Sequence, residues 1–350
     1  MPTKKNILLS VCLVVSLFSA VAEPQAEKSA ALFPVTIGGA DGNVDLAGRV
    51  RIEPRFEQAW PFSEGLAAVS VGGKWGYIDA AGKIVIKPQF DRAFSFSEGL
   101  AAVGFDDARS GYGIRYGYIN RTGKAVIAPQ FAVASAFSDG LAQVAADGRT
   151  AYVDKKGKIT YVEPRFGWAD AFSEGLAGVK LGSVWGKGGY VDKKGRVVVE
   201  PRYNTVGKFS EGLACVSVGG RYGFIDAKGR EAINLSFGGG SQFSGGLAAV
   251  SMDKRWGYVD RTGAFVIKPR FDEARAFSEG LAAVRVKRRW GYVDRTGRFV
   301  IEPQFSETAD FRGGLAKVNL NRKFGYAEFE SWEKWGYVDK TGKIVWKSAN

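Results

Sequence analysis

The chain of 350 residues has no histidine at all and only two cysteines, Cys12 and Cys215. Without histidine there is no Ser-His or Cys-His couple, the commonest general base is missing, and most zinc and copper sites are excluded. Cys12 falls in an N-terminal apolar stretch, which leaves Cys215 as the only thiol beyond it. An exported chain with one thiol has no internal disulfide, so its stability must come from packing. Cys215 stands in an apolar strand where sister segments carry Ala102 or Ala249, and it reads as a small core side chain. Long runs of one charge sign are also missing, so no segment has the composition of a charged disordered tail.

The N-terminus has Lys4 and Lys5, an apolar run from Ile7 to Val21, and Ala20-Val21-Ala22 before Glu23. That run is about 15 residues long, whereas a membrane-spanning helix needs about 20. Basic, apolar and small-residue regions in this order predict a signal peptide over residues 1–22, cleaved after Ala22, and hence a periplasmic or secreted protein. A short linker (23–30), a repeat region (31–347) and a C-terminal tail (348–350) are expected to follow. The formal charge of +13 falls to about +11 once Lys4 and Lys5 are removed. Apolar residues at 45% and 47 glycines give a chain able to bury a continuous core and to make many tight turns.

What is present in abundance is one motif. Arg255-Trp256-Gly257-Tyr258-Val259-Asp260-Arg261-Thr262-Gly263 recurs along the chain. Its tyrosine position is occupied by Tyr77, Tyr118, Tyr152, Tyr190, Phe224, Tyr258, Tyr292 and Tyr337, with a base step of 34 residues between Phe224, Tyr258 and Tyr292. A further copy near Leu32 has Asp41 and Asn43 where the next has Trp75 and Tyr77. This polar pair is expected to suit a terminal unit whose outer face meets water. Nine units result, starting near residues 32, 66, 100, 141, 176, 213, 247, 281 and 315.

Within a unit, Trp256, Tyr258 and Asp260 alternate with Gly257 and Val259, the period of a strand. Gly257 offers no side chain, so neighbouring backbone or a ring can approach there. Asp260-Arg261-Thr262-Gly263 has the residues of a type I turn followed by a glycine bulge. The chain returns through Phe265-Val266-Ile267 and leaves the ladder at Pro269. With Leu247-Ala248-Ala249-Val250 before the motif, one unit is a three-stranded antiparallel meander. A crossing segment from Pro269 to Gly280, which includes Phe277-Ser278-Glu279-Gly280, leads to the next unit.

Trp75-Gly76-Tyr77-Ile78-Asp79, Gly82-Lys83-Ile84-Val85-Ile86, Pro88-Gln89-Phe90 and Phe96-Ser97-Glu98-Gly99 resemble the WG (KWG) repeat family, from roughly Leu32 to Trp346. The resemblance implies an all-β repeat array in bacterial proteins, often exported, with no general catalytic activity. The pairs Trp75-Gly76, Trp185-Gly186, Trp256-Gly257, Trp290-Gly291 and Trp335-Gly336 are its structural residues. Departures are Tyr116 and Tyr222 for Trp, Thr150-Ala151 for the Trp-Gly pair, and Lys187-Gly188-Gly189 inserted after Gly186. Three strands in 34 residues fall short of the four strands and 40 to 45 residues of a usual propeller blade. The fold expected is therefore all-β, an open, curved, solenoid-like array of three-stranded units, with a closed propeller-like ring as the alternative.

Carboxylates are the only catalytic candidates left. Those in the Phe-Ser-Glu-Gly segment and the hairpin turn, such as Glu64, Glu98, Glu174, Glu211 and Glu279 and Asp79, Asp154 and Asp260, recur from unit to unit and so serve the unit. The repeat is broken at Phe105 to Ile114, with Asp106 and Asp107, and at Asn321 to Glu333, with Glu328, Glu330 and Glu333. These read as solvated loop acids and only secondarily as a hydrolase pair. Neither a catalytic residue, a cofactor nor a metal site is expected. Candidate partner-binding residues are basic: Lys155, Lys156, Lys158, Lys193, Lys194 and Arg196 in hairpin turns, and Lys287, Arg288 and Arg289 at the opposite edge, with the Pro-Arg arginines Arg165, Arg202 and Arg270. The Phe-Ser-Glu-Gly segments share the first of these edges, so Glu174 or Glu279 partly neutralises it. The function expected is a scaffold for an envelope protein, or a module for an anionic glycan or envelope polymer using rings such as Tyr112, Trp168 or Trp332. Nucleic acid is disfavoured by export.

Overall fold

In the computed structural model, which describes residues 31–107, 113–320 and 334–348, the repeat becomes a series of small antiparallel sheets. Nine are present among the described residues. We call them blades 1 to 9, spanning 33–56, 58–90, 92–131, 133–161, 166–203, 205–237, 239–271, 273–305 and 315–347. Blade 2 shows the pattern with strands Gln58–Ala59, Leu66–Val71, Lys74–Asp79 and Ile84–Phe90, hydrogen-bonded in that order.

The expected three-stranded unit therefore gains a strand in blades 2 to 8. The segment taken as a crossing is a hairpin: Ser63 and Leu66 exchange backbone hydrogen bonds of 2.9 and 3.1 Å. Glu64 and Gly65 between them both have positive φ, 52° and 79°. That is the geometry of a two-residue type I′ turn, which joins strands closely. Blades 1 and 9 have three strands each.

Gly76 explains how so short a unit makes a four-stranded blade. A Cβ at this residue would lie 2.5 Å from the Ile86 carbonyl oxygen and 2.6 Å from the Pro88 nitrogen. The fourth strand thus passes over the glycine, as the sequence predicts. Its register jumps accordingly, from Tyr77 opposite Ile86 to Trp75 opposite Phe90. Only Asp91 then separates Phe90 from the next blade's first strand at Arg92. Gly257 and Gly291 have the same neighbours, Ile267–Pro269 and Ile301–Pro303. Blade 4 provides the counterexample: with Ala151 in place of the glycine, the pairing runs regularly through Tyr161 opposite Ala151, without a bulge. The chain leaves that sheet through a turn closed by the Phe166 amide on the Glu163 carbonyl, 2.9 Å. The path from Tyr152 to Phe166 is one residue longer than that from Tyr77 to Phe90.

Each seam between neighbouring blades holds its own apolar core. Leu66, Ala68, Trp75, Tyr77, Ile86 and Phe90 of blade 2 face Ala93, Phe96, Ala101, Val103 and Ile119 of blade 3. Successive residues of the second strand point to opposite seams, so Ala67 and Val69 join Ile52 and Phe56 of blade 1 instead. The motif tyrosine meets the next blade's Phe-Ser-Glu-Gly phenylalanine at ring distances of 4.9 Å for Tyr77 with Phe96 and 4.7 Å for Tyr292 with Phe311. Burial pushes these phenols far above the ordinary tyrosine range, and their hydroxyls are retained as donors. Tyr77 donates to the Phe94 carbonyl at 2.9 Å, and Tyr258 to that of Arg275 at 2.8 Å.

An open row of nine units would have eight such seams; among the described residues there are nine. Phe33, Val35 and Val44 of blade 1 pack with Leu315 and Tyr337 of blade 9. Phe33 and Tyr337 have ring centroids 5.4 Å apart. The Tyr337 hydroxyl donates to the Pro34 carbonyl at 2.8 Å. The array is therefore a closed ring, the alternative above, and the open arrangement is corrected: apolar faces at both ends find each other. Blade 1 is not a capping unit either. Asn43, at the tyrosine position, has 0% exposure, and neither its amide oxygen nor its nitrogen has a partner. Phe62, which should meet a tyrosine there, is only half-buried, whereas Phe96, Phe137 and Phe172 are buried.

Side-chain sizes are matched across the seams. Where three seams have alanine against alanine, as in Ala68 with Ala93, Gly178 faces Val206 and Cys215 faces Gly240. A Cβ on Gly178 would meet Val206 Cγ2 at 3.2 Å, and one on Gly240 would meet Cys215 Sγ at 2.7 Å. Burial pushes the Cys215 thiol up to about 12, so it is a packing group, as its sequence context predicts.

Two stability predictions result. Gly76→Ala should cost about 1–3 kcal/mol through backbone overpacking, while Ala151→Gly, where the chain makes no crossing, should cost under about 1 kcal/mol, the usual penalty of glycine in a strand. Asn43→Tyr should stabilise the ring by about 1–3 kcal/mol by removing an unsatisfied buried amide and covering Phe62. Denaturant unfolding midpoints check both.

Candidate partner-binding surfaces

An antiparallel meander puts the Ser-Glu-Gly turns and the Asp-containing hairpin turns on one face of the ring, and the turns between second and third strands on the other. On the first face the repeated polar residues link blades. Ser63 donates to the Phe96 carbonyl at 2.7 Å, and the same serine bond recurs at Ser97, Ser138, Ser173, Ser210, Ser244 and Ser278. The neighbouring acid accepts from the next turn. Glu64 accepts from the Gly99 amide at 3.0 Å, and Glu174 from the Glu211 and Gly212 amides at 2.7 and 2.8 Å. Glu279 accepts from the Gly313 and Gly314 amides at 2.6 and 3.0 Å. These acids sit at φ near 50°, unusual outside glycine. Their bonds across the seam offset that cost. Gly245 replaces the acid in blade 7, and Arg312-Gly313 replaces Ser-Glu in blade 9.

The hairpin turns behave as their residues predict. Asp260 Oδ1 accepts from the Thr262 amide and hydroxyl at 2.8 and 2.6 Å and from the Ala264 amide at 3.2 Å. Gly263 has φ of 88°. The Thr262 hydroxyl, then its amide, hold the Asp260 carboxyl below the usual range, and the Thr296 hydroxyl does the same for Asp294. In blade 3, Asn120 makes the equivalent bonds to Thr122 and Lys124.

The basic candidates divide in two. Lys155 pairs with Glu98 at 3.0 Å, and Lys193 donates to the Asp139 carbonyl at 2.5 Å. Both cover the preceding blade's turn, which is the neutralisation anticipated at this edge; Lys340 pairs with Glu279 at 3.2 Å in the same way. Arg196 pairs with Asp192 at 2.6 Å. Lys156, Lys158 and Lys194 are exposed. Of the Pro-Arg arginines, Arg202 and Arg270 reach Gly229 and Gly297 in the next blade's hairpin turn, so they belong to seams on the first face rather than to the opposite edge. Arg165 pairs with Glu163 and lies over Phe166.

On the opposite face, Lys287 and Arg288 are exposed, and both have positive φ, 48° and 68°. Blades 2 and 6 use Gly72-Gly73 and Gly219-Gly220 at this turn. The Lys287 amide is held by Asp272 at 2.8 Å, and Arg289 donates to the Gln304 carbonyl at 3.3 Å.

Trp185 and Gly186 are not structural residues. The pair is displaced into the turn between the second and third strands of blade 5, where Trp185 is 90% exposed and Val184 beside it is exposed. Gly188 takes the tryptophan position opposite Tyr203, and Gly189 takes the crossing glycine's place, with the Val199 oxygen 2.2 Å from its would-be Cβ. Val206 fills the space over Gly188. Trp75 and Trp290 are buried, and Trp256 and Trp335 half-buried, in their expected positions. Gly336 lies close to Leu320 and the Trp346 carbonyl.

Asp106 is exposed, with its amide bonded to Asp91 at 2.9 Å, and Asp107 lies 3.7 Å from Arg115. Glu328, Glu330, Glu333, Tyr112 and Trp332 lie outside the described residues. Trp168 is half-buried with the Lys180 ammonium 5.9 Å from its ring. Among the described residues no group of three acids, cysteines or histidines could hold a metal, and no helix is long and apolar enough to cross a membrane. Two recesses open at equivalent places, one between blades 2 and 3 of about 180 Å³ and one between blades 8 and 9 of about 660 Å³.

Nine small antiparallel sheets joined side to side in a ring define a nine-bladed β-propeller. The chain belongs to the WG containing repeat family, whose signature matches residues 42–75, 75–107, 116–149, 151–185, 189–222, 222–256, 256–288 and 290–324. A solved structure of a eukaryotic initiation factor is similar in fold, with TM-score 0.61, 11% identity, and 91% of this chain and 95% of that chain covered. The dihydro-heme d1 dehydrogenase NirN is a more distant likeness, with TM-score 0.46, 12% identity, and 91% and 73% covered. No curated protein matches the chain in sequence.

A lowered carboxyl pKa stabilises the fold above its unfolded value, about 4, and that contribution is lost as pH falls through the lower folded value. The thermal midpoint should therefore hold from pH 7 to about 5 and drop below about pH 4. Asp260→Asn and Asp294→Asn, which can keep the turn bonds as Asn120 does, should flatten that drop in a pH series of melting curves.

Proposed function

We propose that this ring is an exported, non-catalytic scaffold that binds a partner protein in the bacterial envelope. The observation that carries this reading is Trp185. A large apolar side chain that the fold does not use stands 90% exposed on an added turn, and isolated exposed tryptophans of this kind suit protein contacts. Export rests on the Lys4-Lys5 and Ile7 to Val21 pattern. The non-catalytic part rests on the repeated carboxylates, most of which are engaged in turns and seams. A carboxylate-dependent hydrolase using Asp106 and Asp107 is the weakest of the alternatives, since Asp107 lies beside Arg115.

A second reading, binding of an anionic glycan or envelope polymer, is favoured by Lys287-Arg288. Blade 7 has Asp253-Lys254 in the same backbone conformation, with φ of 51° and 62°, so what sets Lys287-Arg288 apart is two adjacent exposed positive charges. Lys156, Lys158 and Lys194 would add charge on the other face.

Pull-down from a whole-envelope fraction with the chain from Glu23 onward, at low and high salt, separates these readings. A discrete protein retained at both salts, and lost in Trp185→Ala, is the expected outcome. Polysaccharide retained only at low salt and lost in a Lys287→Gly, Arg288→Gly variant would replace the first reading by the second. Retention of neither would remove both.

A further inference from the structure

In two blades the fourth strand begins with a phenylalanine that covers the preceding blade's last aromatic. In blade 7 it is Phe265, whose ring meets Phe237 edge-on at 6.0 Å and 83°. In blade 8 it is Phe299, which meets Phe271 at 6.1 Å and 79°. Ile84, Ile159 and Ile344 hold this position in blades 2, 4 and 9, opposite Ile78, Val153 and Val338. In blade 3 the residue opposite Ile119 is Ala125. Phe105, from the second strand of blade 3, meets the Phe90 ring edge-on at 5.5 Å and 81°, and Phe90 stays buried.

What remains is an open recess of about 180 Å³, lined by Phe90, Val103, Phe105, Ile119, Ala125 and Ile127. An apolar cavity of about 150 Å³ accepts a benzene ring, so a single phenyl group fits. Two other seams of this chain seat their own phenylalanine at the same place.

The turn and fourth-strand borders of the recess carry one sign of charge, while Asp91, Asp106 and Asp107 follow Phe90 and Phe105 in the chain, with Asp91 paired to Lys74 and Asp107 3.7 Å from Arg115. The turn and fourth strand of blade 2 have Lys83 and Lys87, and those of blade 3 have Arg121 and Lys124, all exposed. Neither stretch, 80–90 or 121–131, contains an aspartate or glutamate. The corresponding stretches of blades 1, 4, 5, 6 and 8 each include a glutamate: Glu53, Glu163, Glu200, Glu231 and Glu302.

We propose that the seam between blades 2 and 3 docks a phenylalanine side chain carried on an acidic segment of a partner protein. This deepens the scaffold reading and rests on it for the identity of the partner as a protein. The ring enters the place of the missing fourth-strand phenylalanine, and the flanking carboxylates meet Lys83, Lys87, Arg121 and Lys124.

The probe is a capped pentapeptide with one phenylalanine between two pairs of glutamates, titrated into the chain from Glu23 onward and followed by methyl NMR. Shifts centred on the Ile119 and Ile127 methyls are expected. Binding at least tenfold weaker is expected for the peptide with alanine at its centre, and for Ala125→Phe, which fills the recess as Phe265 and Phe299 do elsewhere. A variant carrying Lys83→Glu and Lys87→Glu, both at exposed positions, serves if the phenylalanine variant does not fold, and it too should bind the acidic peptide at least tenfold more weakly. Equal binding of the two peptides, shifts centred elsewhere, or undiminished binding by the filled variant would overturn the proposal. The envelope pull-down keeps the two ideas apart. If the protein partner stays on Ala125→Phe, the notch is not its seat although the scaffold stands. If the peptide binds as expected but no envelope protein is retained, the notch stands and the scaffold reading falls.

Discussion

The absence of one Cβ governs this structure. Backbone crosses the motif glycine with a carbonyl oxygen 2.5 Å from where a Cβ would be at Gly76, and that passage carries the chain from one blade's last strand to the next blade's first across a single residue. Shorten the crossing in this way and 34 residues suffice for four strands. Blade 4, with Ala151, shows the dependence from the other side: the pairing is regular, and an additional turn residue makes up the distance.

Once blades follow each other so closely, their faces become the core. The motif tyrosine hydroxyls and the serines and acids of the Ser-Glu-Gly turns cross a seam, as at Tyr77, Ser63 and Glu64, while the hairpin aspartates hold their own turns. The recurrence of these residues thus records a repeated interface. Closure adds a ninth interface, with Tyr337 and Pro34 supplying the hydrogen bond at the join. Departures from the pattern mark what the ring does not need for itself, and those at Trp185, Lys287-Arg288 and Ala125 point outward.

Much of this was legible in the sequence. The period, the strand alternation, the Asp-x-Thr-Gly turn and the close approach at the glycine all follow from local residue chemistry. The fourth strand did not, because glutamate is a poor signal for a left-handed turn residue; its compensation comes from an amide in the next unit. Closure was hidden for a similar reason. Asp41 and Asn43 looked like solvent-facing substitutions, whereas Asp41 accepts from the Ala59 amide and Asn43 is buried. Trp185-Gly186 fits the motif by letter, but the tyrosine spacing assigns Gly188-Gly189 to the site, so distance to Tyr190 was the better guide. Of the candidate binding residues, charge was readable, but which lysines were occupied at seams depended on the ring.

The paired sizes of Ala68 with Ala93, Gly178 with Val206 and Cys215 with Gly240 carry a consequence for how such a ring can change over generations. A blade is fitted to one neighbour. Exchanging blades 7 and 8 would set Cys215 against Ala274 and bring a methyl group where only hydrogen now fits. Units that look interchangeable in sequence therefore have fixed addresses, and gene rearrangements that duplicate or shuffle them would have to move both halves of a seam together.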